Sequence, residues 1–96
     1  MDITKFIPLG KKNAISNEEL AIRLNTDKRT TRQLVYNARI HGAVICSTCE
    51  KGVTAGYYIP ISAEEAIPYQ KMQRSRILSA EAALRSTDNF IKNLSE

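Results

Sequence analysis

SNEELAIRLNTDKRTTRQLVYNARIHG, residues Ser16–Gly42, reads as two helices separated by a turn of about three residues. The first start is marked twice. Ser16 at the cap with Glu19 three residues on is a capping box, and Ile15 and Leu20 occupy the positions of a hydrophobic staple. Leu20, Ala21 and Leu24 then form an apolar edge. Asn25 tolerates the left-handed backbone needed to leave a helix abruptly, and Thr26 or Asp27 can cap the next one. So short a connection forces the two helices to cross sharply instead of running antiparallel.

The second helix, expected at about 27–41, sorts into two faces at about 100° per residue. Thr31, Leu34, Val35 and Ala38 fall together and are expected to pack on the first helix. Arg29, Arg32, Gln33 and Tyr36 fall on the opposite side, with Asn37 and Arg39 at its margins. Between Asp27 and Glu50 the chain has no acidic residue, whereas a helix face needed only for solubility usually mixes both signs. Arginine and glutamine can make paired hydrogen bonds to guanine and adenine edges, while Lys28 and Arg39 suit phosphates. Tyr36 can pack on sugar or a thymine methyl. Ile40 also falls on the outer side and is expected to be covered by another element. A solvated basic face and a protein-binding surface stand beside the duplex-DNA reading.

Outward from this stretch, Asp2 can cap a short helix carrying Ile3, Phe6 and Ile7, closed by Pro8 and Gly10. Lys11, Lys12 and Asn13 make a polar connection. Downstream, Gly42 ends the second helix. Ala43–Ser47 and Tyr57–Ile61 are β-prone runs around TCEKGVTAG, a hairpin with a long connection. Lys51 and Thr54 at its tip are candidates for backbone phosphates, with Glu50 opposing them, and Pro60 is expected to blunt a strand edge. Ser62 and Glu65 form a second capping box, and Pro68 predicts a kink or fresh start. From Tyr69 to Leu94 there is neither Gly nor Pro, and Ile77, Ala80, Leu84, Thr87, Ile91 and Leu94 repeat at the spacing of a coiled-coil seam. That stripe would make a homodimer or fold back on the chain's own core.

Composition is consistent with this plan. The chain of 96 residues suits one small core, and 43% hydrophobic with 25% charged residues is ordinary for a globular protein. Of the net +4, residues 1–41 hold eight Lys/Arg against four Asp/Glu, and residues 42–96 hold six against six. The excess therefore lies with the helix pair, which favours an anionic partner. No apolar run approaches the ~20 residues of a membrane span, and the first residues are too interrupted for a signal peptide. A cytoplasmic protein with reduced cysteines is expected.

The order of short helix, helix-turn-helix, hairpin and long helix resembles small winged helix-turn-helix proteins of phages and prophages of Gram-positive bacteria. The stretches that carry the resemblance are NAIS before the first helix, ARIHGAVICS at the end of the second, and GYYIP closing the hairpin. It implies an α+β fold, mainly α with a small β-hairpin. Residues 1–61 would be the winged domain, with wing 43–61, and residues 62–96 a long helix for dimerisation or packing. It further implies DNA binding by Arg29, Arg32, Gln33 and Tyr36 in the major groove and by Lys51 along the backbone, in transcription or replication control. The longer wing loop and the cysteine pair depart from the pattern. Proteins of this shape also bind regulatory or replication proteins.

Other chemistry has weak support in the sequence. Cys46 and Cys49 have C-x-x-C spacing with His41 nearby, but a structural zinc site usually needs four ligands and no second pair exists, so only two chains sharing an ion would complete it. Cys46 alternates with Val44 and reads equally as a small buried residue. His41 suits a helix C-terminus, and Glu64-Glu65 suit a helix N-terminus. No nucleophile set or glycine-rich phosphate loop is apparent, so neither an enzyme nor a cofactor is expected.

Overall fold

Residues 2–48 and 56–95 are described by a computed structural model. Their architecture is mainly helical, with a two-stranded antiparallel hairpin and a long C-terminal helix. A 3-10 turn at Ile3–Phe6 and another at Lys11–Asn13 precede α1 (Asn17–Arg23) and α2 (Lys28–Ile40). Strands β1 (Cys46–Thr48) and β2 (Gly56–Tyr58) follow, then α3 (Ala63–Ser95).

Local chemistry explains the helix ends. Ser16 Oγ accepts from the Glu19 N–H at 3.0 Å, the capping-box bond expected there. The Glu19 carboxylate pairs with Arg23 at 3.1 Å. Asn25 carries the left-handed turn with φ 54°, and Asp27 Oδ1 caps α2 by accepting from Thr30 N–H at 2.8 Å. Hydrogen bonds from Thr30 hold the Asp27 carboxyl below the usual aspartate range. Gly42 closes α2 at φ 102°.

The faces of α2 divide as its periodicity predicts. Thr31 and Val35 are buried, and Leu34 and Ala38 pack against a core of Ile3, Ile7, Ile15, Leu20, Val35 and Ile45. Thr31 satisfies its buried hydroxyl by donating to the Asp27 carbonyl at 2.7 Å. A second cluster of Ala14, Cys46 and Tyr58 receives Ala66 and Tyr69 from the start of α3.

The hairpin is shorter than expected on both strands: β1 begins at Cys46 and not Ala43, and β2 ends at Tyr58 and not Ile61. Ala43–Ile45 is occupied in leaving α2: the Ala43 N–H donates to the Ala38 carbonyl at 2.9 Å, and the Ile45 carbonyl accepts from Arg39. Pairing runs from Cys46↔Tyr58 to Thr48↔Gly56. The other side of β2 is not an edge blunted by Pro60. Tyr57 exchanges two hydrogen bonds with Ile15, at 2.7 and 3.0 Å, and Ile59 bonds Pro8 and Gly10, both at 2.8 Å. The chain before α1 thus covers it.

Pro68 produces no fresh start, because α3 runs through it without interruption. The proline gives up the ladder bond to the Glu64 carbonyl, and the helix continues past it. The Tyr58 hydroxyl donates to the neighbouring Glu65 carbonyl at 2.7 Å. The Ser62 cap is present at 3.4 Å, while the Glu65 carboxylate reaches the Ile61 and Lys11 N–H groups. Past Gln73 the helix leaves the core, and residues 74–95 are all exposed. The stripe therefore does not fold back on its own domain.

Gly56 is the tightest point of the fold. Its φ is 151°, and a Cβ there would lie 1.8 Å from the Ile15 carbonyl oxygen. Gly56→Ala is expected to destabilise the chain by about 1–3 kcal/mol or more, since strain adds to the clash. Thermal or urea unfolding of the variant measures this, and an unchanged midpoint would contradict it.

Candidate nucleic-acid interface

The outer surface of α2 is built by what holds its inner surface. With Thr31 and Val35 locked in the core, Arg29, Arg32, Gln33, Tyr36 and Asn37 all emerge exposed. Among the described residues, neither Arg29 nor Arg32 has a hydrogen-bond or ion-pair partner, so both guanidiniums are open to a ligand. Gln33 donates to the Asn37 side chain at 3.1 Å, which aligns two amides along the helix. Lys28 is exposed but lies 3.8 Å from Glu18, a pairing that solvent screens and a phosphate could displace.

Arg39 departs from its expected role as a phosphate contact. Its Nε donates to the Ile45 carbonyl at 2.8 Å, and its guanidinium carbon stands 5.0 Å from the Tyr69 ring centre and 5.8 Å from that of Tyr57. Its Nη2 is buried without a partner among the described residues. The side chain is turned inward because the chain leaving α2 brings a carbonyl and two aromatic faces to it, and a guanidinium over aromatic faces is attracted by their quadrupoles. Arg39 therefore fastens α2 to the hairpin and to α3.

Ile40 also departs from expectation. It is 61% exposed, so no described element covers it, and it extends the outward row of Tyr36, itself 58% exposed. His41 behaves as a helix-end residue, its Nδ1 lying 2.8 Å from the Asn37 carbonyl.

Two positioning residues had no signal in the pattern. Asn17 donates to the Lys28 carbonyl at 3.0 Å and accepts from the Tyr57 hydroxyl at 3.1 Å, linking the starts of both helices to β2. Tyr57 is thereby shared between the fold and a groove lined by Lys28, Arg32 and Arg39 from α2, by Glu18 from α1, and by Ser47 and Gly56 from the hairpin. The non-local pairing of Ile15 with Tyr57, with the Asn17 and Arg39 contacts, brings these groups together. Lys51, Thr54 and Glu50, expected at the hairpin tip, lie outside the described residues, as does Cys49.

Cys46 is buried against Tyr58, and burial pushes its thiol up. Among the described residues no group of three or more His, Cys, Asp or Glu is placed to hold a metal ion. Nor is any described helix long and apolar enough to cross a membrane. Comparison of the chain with protein families, curated proteins and solved structures gave no match.

The arginines of α2 are thus expected to separate by experiment. Arg39→Ala should lower stability by roughly 1–3 kcal/mol, from one hydrogen bond and two ring contacts. Arg29→Ala should stay within about 0.5 kcal/mol of the parent. Chemical denaturation of both variants checks this, and equal stabilities would refute the inward role of Arg39.

Proposed function

We propose that the chain is a winged helix-turn-helix protein that binds double-stranded DNA sequence-specifically, in control of transcription or replication. The observation that carries this reading is the outward face of α2, where two arginines without protein partners, two amides and a tyrosine sit on a helix with no acidic residue. A two-helix unit closed by a hairpin, with a basic second helix, is the arrangement that presents such a helix to a major groove. Arg29, Arg32 and Gln33 would read base edges, with Tyr36 and Asn37 beside them. Lys28 and, from the hairpin tip, Lys51 would neutralise phosphates. The inward anchoring of Arg39 supports the reading indirectly, because it fixes the angle at which α2 is offered.

A second reading has one observation in its favour. Tyr36 and Ile40 expose apolar surface in the same row as the arginines. A protein-binding module would use that row against a regulatory or replication protein.

Titration of duplex DNA by fluorescence anisotropy at several salt concentrations separates the two. Arg32→Ala should weaken binding to a preferred sequence by roughly 1–3 kcal/mol and relax preference at one position. Lys51→Ala should weaken all sequences alike and reduce the salt slope by about one. Absence of salt-sensitive binding to any duplex would overturn the DNA reading.

A further inference from the structure

The exposed part of α3 asks for a partner, and the pattern of its side chains says which. No described element buries residues 74–95, and Ile77, Leu84, Ile91 and Leu94 are 56%, 60%, 56% and 71% exposed along one stripe. In heptad terms Ile77, Leu84 and Ile91 hold the a positions, and Ala80, Thr87 and Leu94 the d positions. Thr87 does not spoil the seam. Its hydroxyl donates to the Ala83 carbonyl at 3.1 Å, so its polar group is satisfied within the helix. Phe90 and Ala83, at g, widen the apolar stripe on one side.

We infer that this stripe is the seam of a parallel, in-register two-stranded coiled coil between two copies of the chain. Charge selects both the partner and the direction. In a parallel pair each g residue faces the e residue five positions on in the partner, so Arg76 meets the partner's Glu81, twice by symmetry. In an antiparallel pair the e positions face one another, which sets Glu81 against Asp88 of the partner subunit, again twice. Opposite charges favour the first arrangement and like charges disfavour the second. The parallel arrangement also leaves both cores at one end of the rod. The inference concerns α3 alone and does not depend on what α2 binds.

Two measurements on the full chain test it. Sedimentation equilibrium of the parent should give twice the chain mass of 10.8 kDa, and Leu84→Asp should give the single mass. For direction, Ala80→Cys in a Cys49→Ser background should form a covalent dimer on mild oxidation. In a parallel pair the two residues at 80 face each other. In an antiparallel pair that buries the same seam, residue 80 lies opposite the partner's Ile91, and the two new thiols are about 16 Å apart along the axis, too far for a disulfide. A parent of single-chain mass at all concentrations, or a Leu84→Asp variant that keeps the double mass, would overturn the seam. Failure of the new cysteine to cross-link a double-mass protein would overturn its direction.

Discussion

The fold depends on the contact between Ile15, the residue before the Ser16 cap of α1, and the second strand of the hairpin. Ile15 and Tyr57 exchange a pair of backbone hydrogen bonds, at 3.0 and 2.7 Å, and Gly56 lets the two backbones approach. That contact closes the two-helix unit. It works together with the bonds of Ile59 to Pro8 and Gly10 and with the Tyr57 hydroxyl on Asn17, which tie the same strand to the chain before and at the start of α1. With it, Ile15, Leu20, Val35 and Ile45 can meet in one core, and Asn17 is held where it bonds both Lys28 and Tyr57. A chain of this size has few other ways to bury enough surface.

On that frame, α2 uses its arginines for two opposed purposes. Arg39 surrenders solvent for a carbonyl and two aromatic rings, and so sets the pose of the helix against β1 and α3. Arg29 and Arg32 keep theirs. Fixing the helix by one arginine while leaving others open sets the pose of the backbone before a ligand arrives, so that only the open side chains remain to be ordered on binding. The acidic residues of α1 temper this charge, Glu18 near Lys28 and in the groove that Arg32 also lines, and Glu19 on Arg23.

The parts legible in sequence were those set by neighbours in the chain. Ser16, Asn25, Asp27 and Gly42 end helices through bonds spanning a few residues, so their identities were sufficient to place the helix pair. Thr31, Leu34, Val35 and Ala38 followed from periodicity. What sequence pattern could not show depends on distant groups. Arg39 looked like an outward cation because nothing local reveals that Ile45, Tyr57 and Tyr69 converge on it. Ile40 was expected under cover that no described element supplies. Pro68 signals an interruption, yet α3 runs through it, and Pro60 falls on a strand whose outer side the chain around Leu9 and Ile15 covers. Gly56, read only as part of a turn, is required by a backbone forty residues away in the fold's closing contact. The outward residues Arg29, Arg32, Gln33 and Tyr36 were legible because they face away from everything and rotation about one helix suffices to place them.

The outward face of α2 is proposed to recognise a DNA sequence. Selection of bound molecules from a pool of random duplexes by the full chain tests it most directly. Enrichment of a short motif is expected, with loss of that enrichment in the Arg29→Ala, Arg32→Ala double variant, whose stability should match the parent. Recovery of the input distribution by the folded parent protein, or an unchanged motif from the double variant, would contradict it.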